Sequence, residues 1–328
     1  MTNSPLSPPL RVEAPELTKV PQLSERAAPV ESQPHGSVFQ LPCGYVDESG
    51  SRHEEAELTP LNGHVEYLLG YRETSTSAAT LVTELLTHSV KRIGSLTNID
   101  ASLIRELLVD DRDFLVIKLR MLTFGKKVNC VLRCPDTACD KLMDLTLNLD
   151  DMLDRKPVNQ RYFTMQLSGV QEDETPRAIE FCLPTGGDQE ACVALSSVAE
   201  DAAVEALLAR CIRRIDECTT VDAPAIRELG PVAQREIEAR MSKLGASAEI
   251  EIEASCPECN HPFNSRLDMV TFFLDELKSG FRTLENDIHS LAWHYHWSEQ
   301  EILSLPRPRR KRYVALLQSE VDRLNQVW

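Results

Sequence analysis

The 328-residue sequence has no excess of basic residues: 35 Lys and Arg stand against 51 Asp and Glu, a net charge of −16 at pH 7. A surface that neutralises phosphates needs the opposite balance, so a free nucleic-acid binder is disfavoured and a soluble protein with protein partners is favoured. No apolar run approaches the roughly 20 residues that span a bilayer. The opening MTNSPLSPPLRVEAPELTKV has no charged segment followed by an apolar one, so no secretory leader is expected and a cytoplasmic, reducing setting is. The phosphate-cradling GxxxxGK[ST], a GxGxxG after a strand, GxSxG and HExxH are all missing, which removes the common catalytic frames. What the chain does have is ten cysteines. In a reducing compartment these read as buried apolar residues or metal ligands rather than disulfides.

Residues 1–36 carry Pro5, Pro8, Pro9, Pro15, Pro21, Pro29 and Pro34 and few aromatics, so they cannot bury enough apolar surface to offset ordering and are expected to form a disordered tail. Beyond them the chain is duplicated. ELLTHSVKRIGSLTNIDASLIREL at 84–107 aligns without a gap on ALLARCIRRIDECTTVDAPAIREL at 206–229, with 11 of 24 positions identical at a constant offset of 122. Upstream, FQLP at 39–42 is matched with FCLP at 181–184. Downstream each copy continues into a helix. In the first, Asp110 or Asp111 is placed to cap it, and Gly125 to stop it. In the second, Pro231 suits the first turn and Gly245 the end. Each copy then gives a β-hairpin with cysteines at its tip: CPDTAC between KKVNCVLR and DKLMDLTLNL, and CPEC between AEIEIEAS and NHPFNSRLDMV. The expected fold is α+β, with internally duplicated helical plus β-hairpin, zinc-ribbon-like repeats at 37–160 and 161–280 and a C-terminal helical segment at 281–328.

Structural zinc takes four soft ligands, usually as two close pairs at tight turns. Cys256 and Cys259 have the usual knuckle spacing, and Cys134 and Cys139 are two residues looser. Two similar hairpins related by a pseudo-twofold would bring their tips together, so one zinc ion held by Cys134, Cys139, Cys256 and Cys259 is the leading expectation. Four ordinary thiols is the plain alternative. A dithiol redox centre is the third, opposed by the strand flanks, because redox C-x-x-C pairs sit at helix N-termini. Cys130 and His261 are substitute ligands, and Cys211 reads as core. Gly186-Gly187 reads as a turn rather than a phosphate loop. The repeated D-A-x-x-I-R-E-L reads as a helix cap followed by a surface face, not as a catalytic set.

After residue 270 the chain is helical, with Phe281, Leu284, Ile288, Leu291, Ala292 and Tyr295 on one face. Ser298 with Glu301 makes a capping box. Trp293 and Trp297 belong to a dense aromatic cluster, and Arg307, Arg309, Arg310, Lys311 and Arg312 form a basic run that is unusual in so acidic a chain. Aromatics beside arginines are what interface hot spots favour, so Trp293, Trp297, Arg307, Arg309, Arg310 and Arg312 are the candidate partner-binding residues.

The duplicated entry, the cysteine-tipped hairpins and the ending LAWHYHWSEQEILSLPRPRRKRYVALL together resemble the T4-type baseplate hub assembly proteins of phage tails and phage-tail-like contractile injection systems. The resemblance covers about residues 38–326, and YHWSEQEILSLP with the basic run is its most specific part. It implies a non-enzymatic assembly chaperone or minor structural component. Baseplate or hub proteins would be its partners, without nucleic acid or membrane, and the assembled particle a further destination. A zinc-ribbon regulator of nucleic acid and a thiol–disulfide oxidoreductase are the alternative functions.

Overall fold

The structure, a computed structural model, describes residues 36–70, 76–152, 158, 160–168, 176–196, 200–245 and 249–325. Apart from Gly36, the expected proline-rich tail lies outside the described residues.

The first copy runs β1 (Ser37–Val46), β2 (Arg52–Leu58), α1 (Gly63–Gly70), α2 (Ala78–Ser89), β3 (Val90–Ile93), α3 (Ala101–Glu106), α4 (Val109–Phe124), β4 (Lys127–Arg133) and β5 (Leu142–Asn148). The second runs β6 (Phe163–Gln166), β7 (Ala178–Phe181), α5 (Gly186–Ser196), α6 (Glu200–Cys211), β8 (Ile212–Ile215), α7 (Ala223–Leu244), β9 (Glu249–Ser255) and β10 (Pro262–Asp268). The helices α8 (Met269–Ser279), α9 (Phe281–Tyr295), α10 (Glu299–Ser304) and α11 (Arg307–Asn325) follow.

Each copy has a three-stranded antiparallel sheet, ordered β1-β2-β3 and β6-β7-β8. The pairings β2–β3 and β7–β8 repeat down to a bulge: Glu57↔Arg92 and Leu58↔Val90 flank it in one, and Glu180↔Arg214 and Phe181↔Ile212 flank the same bulge in the other. This register corrects one alignment. Phe181 lies on a middle strand and corresponds to Leu58. Phe39 lies on an outer strand and corresponds to Met165 of β6, because both pair with the equivalent middle-strand residue (Phe39↔Ala56, Met165↔Ile179).

The shared D-A-x-x-I-R-E-L does cap helices. Asp100 accepts from Leu103 N–H at 2.9 Å and Asp222 from Ala225 N–H at 3.0 Å, each satisfying an orphan donor of the first turn. Beyond this point the copies diverge. In the first, Leu107 and Leu108 are extended and separate α3 from α4. In the second, Gly230 at φ 78 makes a kink within α7, and Pro231 opens the helix beyond it. Neither Asp110 nor Asp111 caps α4, which starts at Val109. Leu108 takes the cap position, and the buried Asp111 carboxylate instead accepts the Cys43 N–H at 2.8 Å.

α4 is covered on every side, with Leu115, Val116, Ile117 and Leu119 all buried, and is the axle of the molecule. Leu115, Val116 and Leu119 face the core of the first sheet, α2 and α8. Ile117 joins a separate core made by the two hairpins, with Val128, Leu147, Ile250, Ile252 and Met269. The second copy keeps its own core among β6–β8, α6 and α7. Two extended contacts lock helix starts to other segments. Leu108 bridges Thr185, with Val109 N–H donating to Pro184 O at 3.0 Å. Asn62 bridges Pro306, with Arg307 N–H donating to Leu61 O at 2.8 Å. No helix among the described residues is long and apolar enough to cross a membrane.

Candidate metal centre

The hairpins β4–β5 and β9–β10 are regular seven-pair ladders, Lys127↔Asn148 to Arg133↔Leu142 and Glu249↔Asp268 to Ser255↔Pro262. Strand alternation turns Val128, Cys130 and Leu147 toward Ile250 and Ile252, so the hairpins pack on each other and their tips meet. Cys134, Cys139 and Cys256 close the far end with Met143 and Phe263.

The two turns hold their cysteines by the same backbone device. Asn260, at φ 57, donates its N–H to Cys256 O at 2.8 Å, and Asp140, at φ 46, donates its own to Asp136 O at 2.8 Å. The first turn's two additional residues are absorbed ahead of the tight turn: Asp136 O does the work of Cys256 O, and the Asp136 carboxylate accepts Ala138 N–H at 2.9 Å. The strand exits also agree, with Cys134 N–H on Lys141 O at 2.8 Å and Cys256 N–H on His261 O at 3.0 Å.

The four sulfurs lie within 4.8 Å of one another. Cys134 Sγ is 3.7 Å from Cys259 Sγ, and Cys139 Sγ is 3.7 Å from Cys256 Sγ. A twofold that exchanges Cys134 with Cys256 and Cys139 with Cys259 carries one of these distances into the other. A tetrahedron of sulfurs about 2.3 Å from a central zinc has edges of about 3.8 Å, so the observed spacing suits a four-thiolate cage. The Cys259 amide, with that of Glu258, holds the Cys256 thiol down to about 7. Burial pushes Cys134 up to about 12 against the pull of the Asp136 amide. The Lys141 amide pulls Cys139 down, but burial and the thiols of Cys259 and Cys256 leave it raised. Four thiolates this close repel, and a divalent cation relieves that repulsion.

The substitute ligands are elsewhere. Cys130 lies in the hairpin core, where burial raises its pKa, and the His261 side chain is exposed. Cys211 is fully buried, as expected of a core residue. Gly186-Gly187 opens helix α5 rather than forming a free turn, and Gly186 lies directly under the buried Arg112 guanidinium.

The C-terminal arginines divide in a way the linear run does not suggest. Arg310 is 0 % exposed, so it is no partner-binding residue. Its Nη2 donates to Glu66 Oε1 and Oε2 at 2.7 and 2.9 Å, and its Nε lies 3.3 Å from Asp287 Oδ2. Arg307 is also turned inward: it pairs with Glu66 and lies 4.1 Å from the centre of the Phe124 ring. Lys311 Nζ donates to Asp287 Oδ1 at 2.8 Å. Buried charges demand partners, and these three cations find them on α1 and α9. Arg309 and Arg312 are exposed. Trp293 is 71 % exposed and stacks on His289, whereas Trp297 is half-buried between Tyr295 and Tyr313. Glu66 and Asp287 had no signal of their own in the sequence. Asp287 lies between Leu284 and Leu291 on the inward face of α9, the one position where a charge interrupts that stripe.

No curated protein and no solved structure matches the chain. The family model described as T4 bacteriophage base plate protein matches residues 61–275, from the residues just before α1 into α8. α9, α10 and α11 lie beyond the match, including the stretch that was the most specific part of the resemblance. With most of the duplication and all four clustered cysteines inside the matched span, the chain belongs to the T4 bacteriophage base plate protein family.

Proposed function

We propose that this protein is a non-enzymatic assembly factor or minor component of the baseplate hub, in a phage tail or a phage-tail-like contractile injection system, and that one structural zinc ion staples its two repeats. The four-sulfur cluster is the observation that carries the zinc: each copy supplies one pair, and the set leaves no open ligand position at which chemistry would occur. The thiols sit at strand-flanked hairpin tips, which disfavours the oxidoreductase alternative. Family membership carries the baseplate role.

For the partner surface, Trp293 with Arg309 and Arg312 remains as the exposed aromatic and basic patch suited to an acidic face on a baseplate or hub protein. Two measurements test the reading. Metal analysis of the untagged protein should find one zinc per chain. Proteomics of purified particles and of the cytosol they left should place the protein in one or the other, separating component from chaperone. A zinc-free, fully folded protein refutes the staple. Unchanged particle assembly in a strain lacking the protein refutes the role.

A further inference from the structure

α10 and α11 repeat the α3–α4 helix pair, at an offset of 198 residues. Ser298 caps α10 as Asp100 caps α3, and Ile302 is fully buried like Ile104. Leu305 and Leu107 leave their helices with nearly the same extended backbone, φ −71 ψ 133 and φ −61 ψ 142. The contacts repeat too. Pro306 bridges Asn62 where Leu108 bridges Thr185. Arg310 stands over Gly63 as Arg112 stands over Gly186. The chain therefore holds this helix pair three times: in α3–α4, in α7 about its kink, and in α10–α11.

The three copies give an internal comparison of one helix face. On α4 the face is Arg112, Val116, Leu119 and Thr123, all buried. On α7 the same positions are Gln234, Glu238, Met241 and Gly245. There Pro231 has no N–H to offer a docking segment, and Gln234 turns back to donate to Ile226 O at 3.0 Å. The face that is not covered in this way has become largely polar. On α11 the positions are Arg310, Val314, Leu317 and Val321, and the stripe continues to Leu324. Yet Arg310 is the only buried residue of α11. The face is docked at Arg307 and Arg310; beyond them Val314, Leu317 and Val321 are partly exposed. Leu324 is 54 % exposed.

We infer that this partly exposed face of α11 is a docking surface for α11 of a second copy of this chain, as a parallel two-helix pair. Val314, Leu317, Val321 and Leu324 follow the 3-4-3 spacing of a coiled-coil seam. Their order, Val and Leu alternating, puts β-branched residues at one seam position and leucine at the other, the choice that favours two parallel strands. The flanking pairs across such a dimer are Tyr313 with Gln318 and Glu320 with Asn325, so no like charges oppose each other. The seam is isologous, the same residues meeting themselves across a twofold. It is also short, so association is concentration-dependent.

Sedimentation velocity on the full-length, zinc-loaded protein tests this. The wild type should pass from monomer to dimer as its concentration rises. Leu317→Glu with Leu324→Glu should raise the dissociation constant by roughly tenfold or more, the cost of losing buried apolar anchors from an interface. Circular dichroism and zinc content should stay unchanged, because Leu324 is 54 % exposed and Leu317 partly exposed. In the Leu324→Cys variant, mild oxidation should link two chains through residue 324, identified by peptide mass, as the parallel register requires. A wild type that remains monomeric at its highest soluble concentration overturns the proposal and leaves the face to another protein's helix. A dimer that the double substitution does not weaken, or a crosslink that never forms, overturns it equally.

Discussion

Replacing Arg310 by alanine tests whether the C-terminal basic run is a surface or a clasp. The guanidinium is fully buried between Glu66 and Asp287, themselves only 4 % and 3 % exposed. Removing one partner of a buried ion pair typically costs about 3–5 kcal/mol, because the remaining charge keeps its desolvation penalty. Here Arg307 still pairs with Glu66 and Lys311 with Asp287, which places the expected loss at the lower end, about 3 kcal/mol. The packing over Gly63 goes as well, since Arg310 Nη1 would lie 3.1 Å from a Cβ there. The neighbouring Arg309 provides the control: it is exposed, and Arg309→Ala should change stability by no more than about 0.5 kcal/mol. Urea unfolding followed by far-UV circular dichroism reads both, and limited proteolysis shows whether α11 detaches first. Equal midpoints for the two variants would refute the clasp. A second arm removes one pair of charges together: Glu66→Gln with Arg310→Met should recover part of the single-variant loss, since the Glu66 carboxylate is no longer left without Arg310 and Asp287 keeps Lys311. If the pair is no better than Arg310→Ala alone, packing rather than charge holds α11 down.

Three other outcomes are expected. Cys256→Ser should lose the metal and lower the melting temperature, as should prolonged chelation of the wild type, because binding free energy in such a site is also folding free energy. Burial above all, with Asp110 nearby, holds the Asp111 carboxyl at about 7 rather than 3.8, so between those values the folded chain keeps a proton that the unfolded chain releases. Stability therefore falls as pH rises through that window, by at most about 4 kcal/mol, and stays low above it. Asp111→Asn keeps an acceptor for the Cys43 amide, so its urea midpoint should exceed that of wild type at pH 8 and approach it near pH 4; a lower midpoint at pH 8 would refute the assignment. Gly186→Ala would put a Cβ 1.3 Å from Arg112 Nη1, on a guanidinium whose Nη2 is pinned by 2.8 Å bonds to Ala79 O and Thr83 Oγ1, and should cost about 3 kcal/mol. Gly187→Ala, with nothing nearer than 3.6 Å, should be tolerated.

Features written in local spacing could be read from the sequence. The Asp100 and Asp222 caps, the Ser298–Glu301 box and the two hairpins each announce themselves within about a dozen residues, because caps, turns and strand alternation are local physics, and the duplication shows as two matching 24-residue stretches. The cysteine cluster needed one further step, the inference that duplicated hairpins meet. What failed was anything set by a distant partner. Arg310 looks like its neighbour Arg309 in a linear run, and only Glu66, 244 residues away, makes it internal. Asp111 stands where a helix cap would, but Cys43, 68 residues away, claims its carboxylate. FQLP and FCLP agree in letters yet occupy different strands, because pairing register is set across the sheet and not along the chain. The third helix pair escaped notice because an isoleucine, a leucine and an arginine at fixed spacing are too few to align. Its likeness lies in backbone shape and in which glycine each arginine covers.

The distance between the two cysteine pairs also sets a timetable. Cys139 must wait for Cys256, 117 residues later in the chain. At about 5–20 residues per second, synthesis of that interval takes roughly 6 to 23 s. Throughout it, the first hairpin presents the thiols of Cys134 and Cys139 and an apolar face, Val128 and Leu147, that has Ile117 of α4 but not yet Ile250 and Ile252 to pack against. Glu66 waits longer still, for an arginine 244 residues further on. A ribosome that stops early therefore releases a product with half a metal site, an unmatched carboxylate and an open sheet of apolar side chains, the features by which proteases and holdases distinguish fragments from finished subunits. Only with Cys256, Cys259 and Arg310 in place are the four-sulfur cluster and the buried ion pair complete.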